Sequence, residues 1–280
     1  VSTTELYNEA DLIAWREAVE AELRAPEGWL SVAGLFWLRP GVNRMGSDPA
    51  ADIMLPADAA PPFAAEVVLE GDEARFGAID APVLVNGALP PARPLFASTS
   101  RTPDRITLGR LALQLHASAG RLGIRVRDPE HPARRAFAGR RWHAPHPAYC
   151  VPARFTPYEP PRPTTIATHD GEQTTMNLAG TAHFMLHDQE LSLDAFGRAD
   201  GKLFFVFRDA TSGASTYGAA RFLYAEPPQE GWITLDFNRA VSPPCAFTTF
   251  ATCPLPPPQN RIAVAIEAGE LDQHGATSER

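Results

Sequence analysis

From Arg39 to His116 the chain carries no helical period of apolar residues. Its hydrophobic side chains fall instead in short runs: Ile53-Met54-Leu55, Val67-Val68-Leu69, Val83-Leu84-Val85, Ile106-Thr107-Leu108 and Leu111-Ala112-Leu113-Gln114-Leu115. Clusters of Gly, Pro and Asp separate them. Short runs bounded by turn residues are the signature of a β sandwich. Asn86-Gly87 and Gly109-Arg110 have the composition of tight turns, because Asn and Gly tolerate a positive φ.

The helical period occurs once, near the start. Leu12, Trp15, Val19 and Leu23 lie three, four and four residues apart among Glu17, Glu20, Glu22 and Arg24, which makes one apolar stripe on a polar helix. Ser2 with Glu5, or Asn8 with Asp11, could cap its start. Pro26 and Gly28 stop it, and the aromatic run Trp29–Leu38 that follows reads as core.

The second half is again β in character. Lys202–Arg208 is apolar on both faces and fits a covered strand. Asp209–Ser215 is expected to turn, with Thr216–Tyr224 returning as the partner strand. Trp232–Asn238 alternates, with Ile233, Leu235 and Phe237 facing one way and Trp232, Thr234, Asp236 and Asn238 the other. Between Pro145 and Pro163 seven prolines occur in 19 residues, which argues against a central strand or a helix and for an extended strap. The tail from Leu271 to Arg280 is polar and is expected to be mobile. The expected architecture is mainly β: an N-terminal helical segment (1–30), a β sandwich (31–117) and a second antiparallel β module (118–280).

Composition removes several functions. The formal net charge of -8 opposes a broad nucleic-acid footprint, which needs clustered positive charge. No apolar stretch approaches the ~20 residues of a membrane span. Cys150, Cys245 and Cys253 are too few for a disulfide framework, and the expected location is the cytoplasm. His183 and His187 have i, i+4 spacing, but Phe184 stands where a metalloprotease has Glu, so neither a metal nor another cofactor is expected.

Several ordered motifs resemble a bacterial and archaeal family known as domain-of-unknown-function family 1684. They are Thr211-Ser212-Gly213, Thr216-Tyr217-Gly218, Arg221-Phe222-Leu223, Leu235–Asn238, Pro243–Phe247, Cys253–Pro257, Asn260-Arg261 and Ala268-Gly269-Glu270. The resemblance takes in Gly34–Leu38 and Arg125–Asp128 and implies a shared fold and site, with no reaction attached. Gly41–Ser47, Asp52–Leu55, Val85-Asn86-Gly87 and Ile106–Gly109 resemble the strand skeleton of a forkhead-associated domain. That family reads phosphothreonine through an Arg and a Ser-x-x-His turn. Here Ser47 stands at the Arg position, and Pro61-Pro62-Phe63-Ala64 lacks Ser and His, so the resemblance implies the fold without the recognition.

The candidate ligand-binding residues are Arg125, Arg127, Thr211, Ser212, Tyr217, Arg221, Asp236 and Asn238, and no catalytic residue is identified. Hydroxyls and backbone N–H groups around Thr211 and Ser212 suit an anion nest, and the guanidinium of Arg221 suits a carboxylate or phosphate. Arg221 could equally be held in an ion pair by Asp209 or Asp236. Arg125 and Arg127 share a strand face, where Glu267 and Glu270 could balance them. The expected function is binding a small anionic or polar metabolite in the second module, with its chemical transformation and a homodimer both left open. The alternative is a non-catalytic protein-interaction scaffold built on the first sandwich.

Overall fold

The computed structural model describes residues 6–273. The suggested Ser2–Glu5 cap and the tail beyond residue 273 lie outside them. The chain forms two compact units. The first is Glu22–Phe137; the second is discontinuous, made of Val1–Ala21 together with Ala138–Arg280.

Helix α1 runs Glu9–Arg24. Asn8 caps it, its Oδ1 accepting from the N–H groups of Ala10 (3.1 Å) and Asp11 (3.2 Å). Leu12 and Leu23 are buried, and Trp15 and Val19 are half-buried, so the apolar stripe is the inward face.

The first unit has nine strands among the described residues: β1 Val32–Trp37, β2 Gly41–Gly46, β3 Ile53–Met54, β4 Ala65–Glu70, β5 Glu73–Ile79, β6 Val83–Val85, β7 Ile106–Leu108, β8 Leu111–Ser118 and β9 Arg121–Arg127. They form a five-stranded sheet, β1-β9-β8-β7-β6, and a four-stranded sheet, β3-β2-β4-β5. All pairs are antiparallel except β2 with β3. Met45, Ile53, Val67 and Ala74 from the smaller sheet meet Val83, Ile106, Leu113, Ile124 and Val126 from the larger in one core. Gly109-Arg110 closes the β7–β8 hairpin, with Leu108 opposite Leu111 and Gly109 at φ 55°. Asn86-Gly87 is also a tight turn with both φ positive, but it bridges only Val85 to Ala88 before a long loop. A short helix α2, Pro132–Ala136, follows, with the His131 side chain accepting from Ala133 N.

The expected boundary at residue 117 cuts a hairpin. Ser118 pairs with Arg121, and β9 lies between β1 and β8, so the unit continues to Phe137.

The second unit is built on a six-stranded sheet, β14-β13-β12-β11-β10-β15. Its strands are β10 Cys150–Ala167, β11 Gln173–Leu186, β12 Gln189–Gly197, β13 Leu203–Phe207, β14 Arg221–Ala225 and β15 Trp232–Asp236. The edge strands β14 and β15 contact each other, so the sheet curls into a half-barrel around Phe184, Leu193, Phe205, Phe207, Leu223, Leu235 and Phe237.

The proline-rich stretch is a strand after all. β10 pairs with β15 over Cys150–Arg154 and with β11 from Ala153 onward. Pro152 precedes the β11 ladder, Pro157 and Pro163 have β11 alone beside them, and Pro160 and Pro161 fall in the break of register between Pro157 and Arg162. Proline lacks a donor, and each of these positions leaves a side of the strand unpaired. The expected strand Thr216–Tyr224 is shorter: β14 begins at Arg221, opposite Phe207, and residues 208–220 form a wide loop.

Candidate functional site

The loop between β13 and β14 folds around Asp209. Its Oδ1 accepts from the Thr211 hydroxyl (2.6 Å), the Thr211 N–H (3.2 Å) and the Ser212 hydroxyl (3.2 Å). Its Oδ2 accepts from Arg221 Nη1 (2.8 Å) and Ile266 N (2.9 Å). Arg221 donates further to the carbonyls of Ile266 (3.0 Å) and Ala268. Both side chains are sealed from solvent. Burial pushes the guanidinium pKa below its ordinary value, and Asp209 opposes that shift. Thr211 and Thr216 share a hydroxyl bond of 2.9 Å. This loop spends its polar groups on itself and offers no open nest.

The opening lies elsewhere in the second unit, where the two edges of the curled sheet approach. A groove of about 730 Å³ is lined by Leu6, Cys150 and Pro152, by Tyr224 to Pro227 and Gln229, and by Trp232, Ile233, Thr234, Asp236 and Arg239. That volume is in the range of small-molecule sites. Alternation on β15 explains the lining: Ile233 and Leu235 point into the core, which leaves Trp232, Thr234 and Asp236 outside. Trp232 is 49% and Tyr224 43% exposed; Tyr224 stacks on Phe204 at 5.0 Å and lies 5.3 Å from the Arg198 guanidinium, and the Arg154 guanidinium lies 5.5 Å from the Trp232 ring.

The polar end of the groove is rigid. Asp236 ends β15 and accepts from Asn238 N (3.1 Å) and Asn238 Nδ2 (2.8 Å), capping the 3-10 turn Phe237–Arg239. Asn238 is buried and clamps His146, accepting its N–H (3.0 Å) and donating to its carbonyl (3.1 Å). Arg239 Nε donates to Asp236 Oδ2 at 3.2 Å, and its guanidinium lies 5.5 Å from the Trp15 ring. Among the described residues no hydrogen bond engages its two terminal nitrogens. Burial pushes the Cys150 thiol up to about 12, so it is neutral and a poor nucleophile at neutral pH.

Of the eight residues picked from sequence, Asp236 alone lines this groove, with Asn238 behind it. Thr211, Ser212 and Arg221 belong to the Asp209 network. Tyr217 does not share a strand with Arg221; it lies in the preceding loop and donates its hydroxyl to Cys245 O at 3.1 Å. Arg125 and Arg127 belong to β9 of the first unit, not to the second β module. Arg125 contacts His116 Nε2 (3.2 Å) and lies 5.1 Å from the Trp29 ring. Burial lowers the pKa of Arg127, and the charge of Glu27 opposes this. Glu270, expected to balance them, is buried against Arg140. Arg239 was missed because its signal is tertiary. Trp232 was visible as an aromatic on the polar face of an alternating strand. No group of three or more His, Cys, Asp or Glu that could hold a metal occurs among the described residues.

No curated protein matches the chain. A solved structure that does is the solution NMR structure of an uncharacterised protein of Haloarcula marismortui, 34% identical, covering 51% of this chain and 82% of that chain, with a TM-score of 0.43. The family match is narrower than the resemblance read from sequence, because it leaves out Gly34–Leu38 and Arg125–Asp128. It holds the β10–β15 sheet, the Asp209 loop and all of the groove except Leu6. Residues 135–271, just under half of the chain, match the model of the family described as "Protein of unknown function (DUF1684)".

Proposed function

We propose that the second unit binds a small metabolite carrying a planar ring and an anionic group in the groove between β14 and β15. The observation that carries this reading is the groove itself, where the half-exposed rings of Trp232 and Tyr224 line the same opening as the Asp236–Arg239 pair. Aromatic faces hold a ring, and the unengaged terminal nitrogens of Arg239 suit a carboxylate or phosphate. Asp236 restrains the guanidinium without consuming its fork. Mass spectrometry of small molecules released from the purified protein identifies the ligand. Adding it back should raise the melting temperature of the wild type and leave that of Arg239→Ala unchanged, with little difference between the two proteins without ligand. Equal stabilisation of both proteins would remove Arg239 from the site.

A scaffold role has a separate observation in its favour. On the smaller sheet of the first unit, Val42 and Met54 are more than half exposed, and Val68, opposite Val42, is half-buried. Val42 and Val68 make one apolar patch and Met54, opposite Gly46, another farther along β2; such exposed apolar patches suit a protein partner. A forkhead-associated ancestry fits the two-sheet core but not phosphothreonine reading. Ser47 N donates to Pro61 O (2.8 Å) and Asp48 N to Pro62 O (3.2 Å), so backbone bonds close the loop where that family presents its charged groups.

A further inference from the structure

Two of the three cysteines meet in the second unit, away from the groove. Cys245 sits on the 3-10 turn Pro244–Ala246, and its backbone N–H donates to Cys253 Sγ at 3.3 Å. Both side chains are buried, and the Cys253 side chain is the largest influence on the Cys245 thiol. Each is anchored separately. The Tyr217 hydroxyl holds the Cys245 carbonyl at 3.1 Å, and the Cys253 carbonyl accepts from His169 N at 2.8 Å. The chain between them reaches solvent at Thr249 and Phe250. Two sulfurs are thus held together at the base of a surface loop by contacts from two other parts of the fold.

We propose that Cys245 and Cys253 are a redox-modification site, forming a reversible disulfide when the protein meets a hydroperoxide. A hydroperoxide is small enough to reach buried sulfur without a binding surface of its own. The Cys245 thiolate attacks one peroxide oxygen, and the O–O bond breaks. For hydrogen peroxide, hydroxide leaves and takes up the proton shed by the thiol, giving water and a sulfenic acid on Cys245. Cys253 then attacks Cys245 Sγ, the S–O bond breaks, and the departing hydroxide takes the Cys253 proton as a second water. Two thiols lose two electrons and two protons, and the peroxide gains both.

The division of labour follows from the surroundings. The Cys253 side chain lowers the Cys245 pKa below that of an ordinary thiol, against the opposing effect of burial. The thiolate is the nucleophilic form. Cys150, pushed up to about 12, serves as an internal control.

The test uses the full chain treated with one equivalent of hydrogen peroxide, then unfolded, alkylated and weighed. The expected product carries one alkyl label, on Cys150, and has lost two hydrogens, with a crosslinked peptide pair holding Cys245 and Cys253. Dithiothreitol should restore three labels. In Cys253→Ala the sulfenic acid on Cys245 should persist long enough for capture by dimedone. Three labels after peroxide, earlier loss of the Cys150 label, or a disulfide that forms no faster in the native protein than in urea would each overturn the proposal. These readouts use the unaltered protein, so they stand even if Cys253→Ala fails to fold.

Discussion

Asp209 and Arg221 meet at 2.8 Å with their side chains closed off from water, and the carbonyls of Ile266 and Ala268 take two more of the guanidinium donors. Ion pairing alone seldom repays the desolvation of two charges, but removing one partner strands the other. Arg221→Ala should therefore cost about 3 kcal/mol or more, read from urea unfolding of the second unit. A loss below about 1 kcal/mol would mean that water reaches Asp209 and replaces the guanidinium. Both fates of Arg221 were legible in the sequence, ligand or internal partner, and Asp209 was one of two candidate partners beside Asp236. Which one holds was not, because it depends on whether the 264–268 segment closes over the pair.

At the level of elements, hydrophobic pattern identified the strands well and turn chemistry less evenly. β6, β7 and β8 coincide with apolar runs, and Gly109-Arg110 is a true hairpin turn. β10 was hidden because composition reports that a proline lacks a donor, while pairing decides whether the donor is needed. The break of register between Pro157 and Arg162 has a counterpart on β11. A Cβ on Gly180 would stand 2.4 Å from Thr156 O and 2.8 Å from Pro157 Cα, both backbone atoms that cannot move aside alone. Gly180→Ala should destabilise the second unit by about 1–3 kcal/mol through overpacking. Chemical denaturation measures it, and a neutral result would show that β10 slides away from β11 at the bulge. One wall of the groove was readable from the alternation on β15, since Trp232, Thr234 and Asp236 fall on its outer face. Tyr224 and Arg239 were not, because the curl of the sheet brings strand edges together that are far apart in sheet order.

Each unit of the whole molecule carries its own core and its own response to acid. In the first unit Asp104 is gripped by Arg93 through two bonds of 2.7 and 2.9 Å, by Phe96 N at 2.7 Å and by Asn86 Nδ2 at 2.7 Å. Led by the Arg93 bond, these contacts hold its carboxyl at about 2, against an ordinary 3.8. A depressed carboxylate pKa stabilises the fold above the unfolded value, and the contribution is lost as pH falls from about 4 to about 2. Hydrogen exchange at pH 5 and pH 2.5 should show the first unit loosening, with a shallower pH dependence in Asp104→Asn. The same slope in both proteins would assign the loosening to other carboxylates. The order of the chain has a further consequence for how the protein is made. Glu22–Phe137 is contiguous and leaves the ribosome complete, whereas Val1–Ala21 must wait for its partner sequence, which starts at Ala138. Domains fold as units during synthesis, so the inserted unit can mature first. The leading part of α1, with Leu12 as its fully buried anchor, stays an unsatisfied amphipathic segment until the half-barrel is translated.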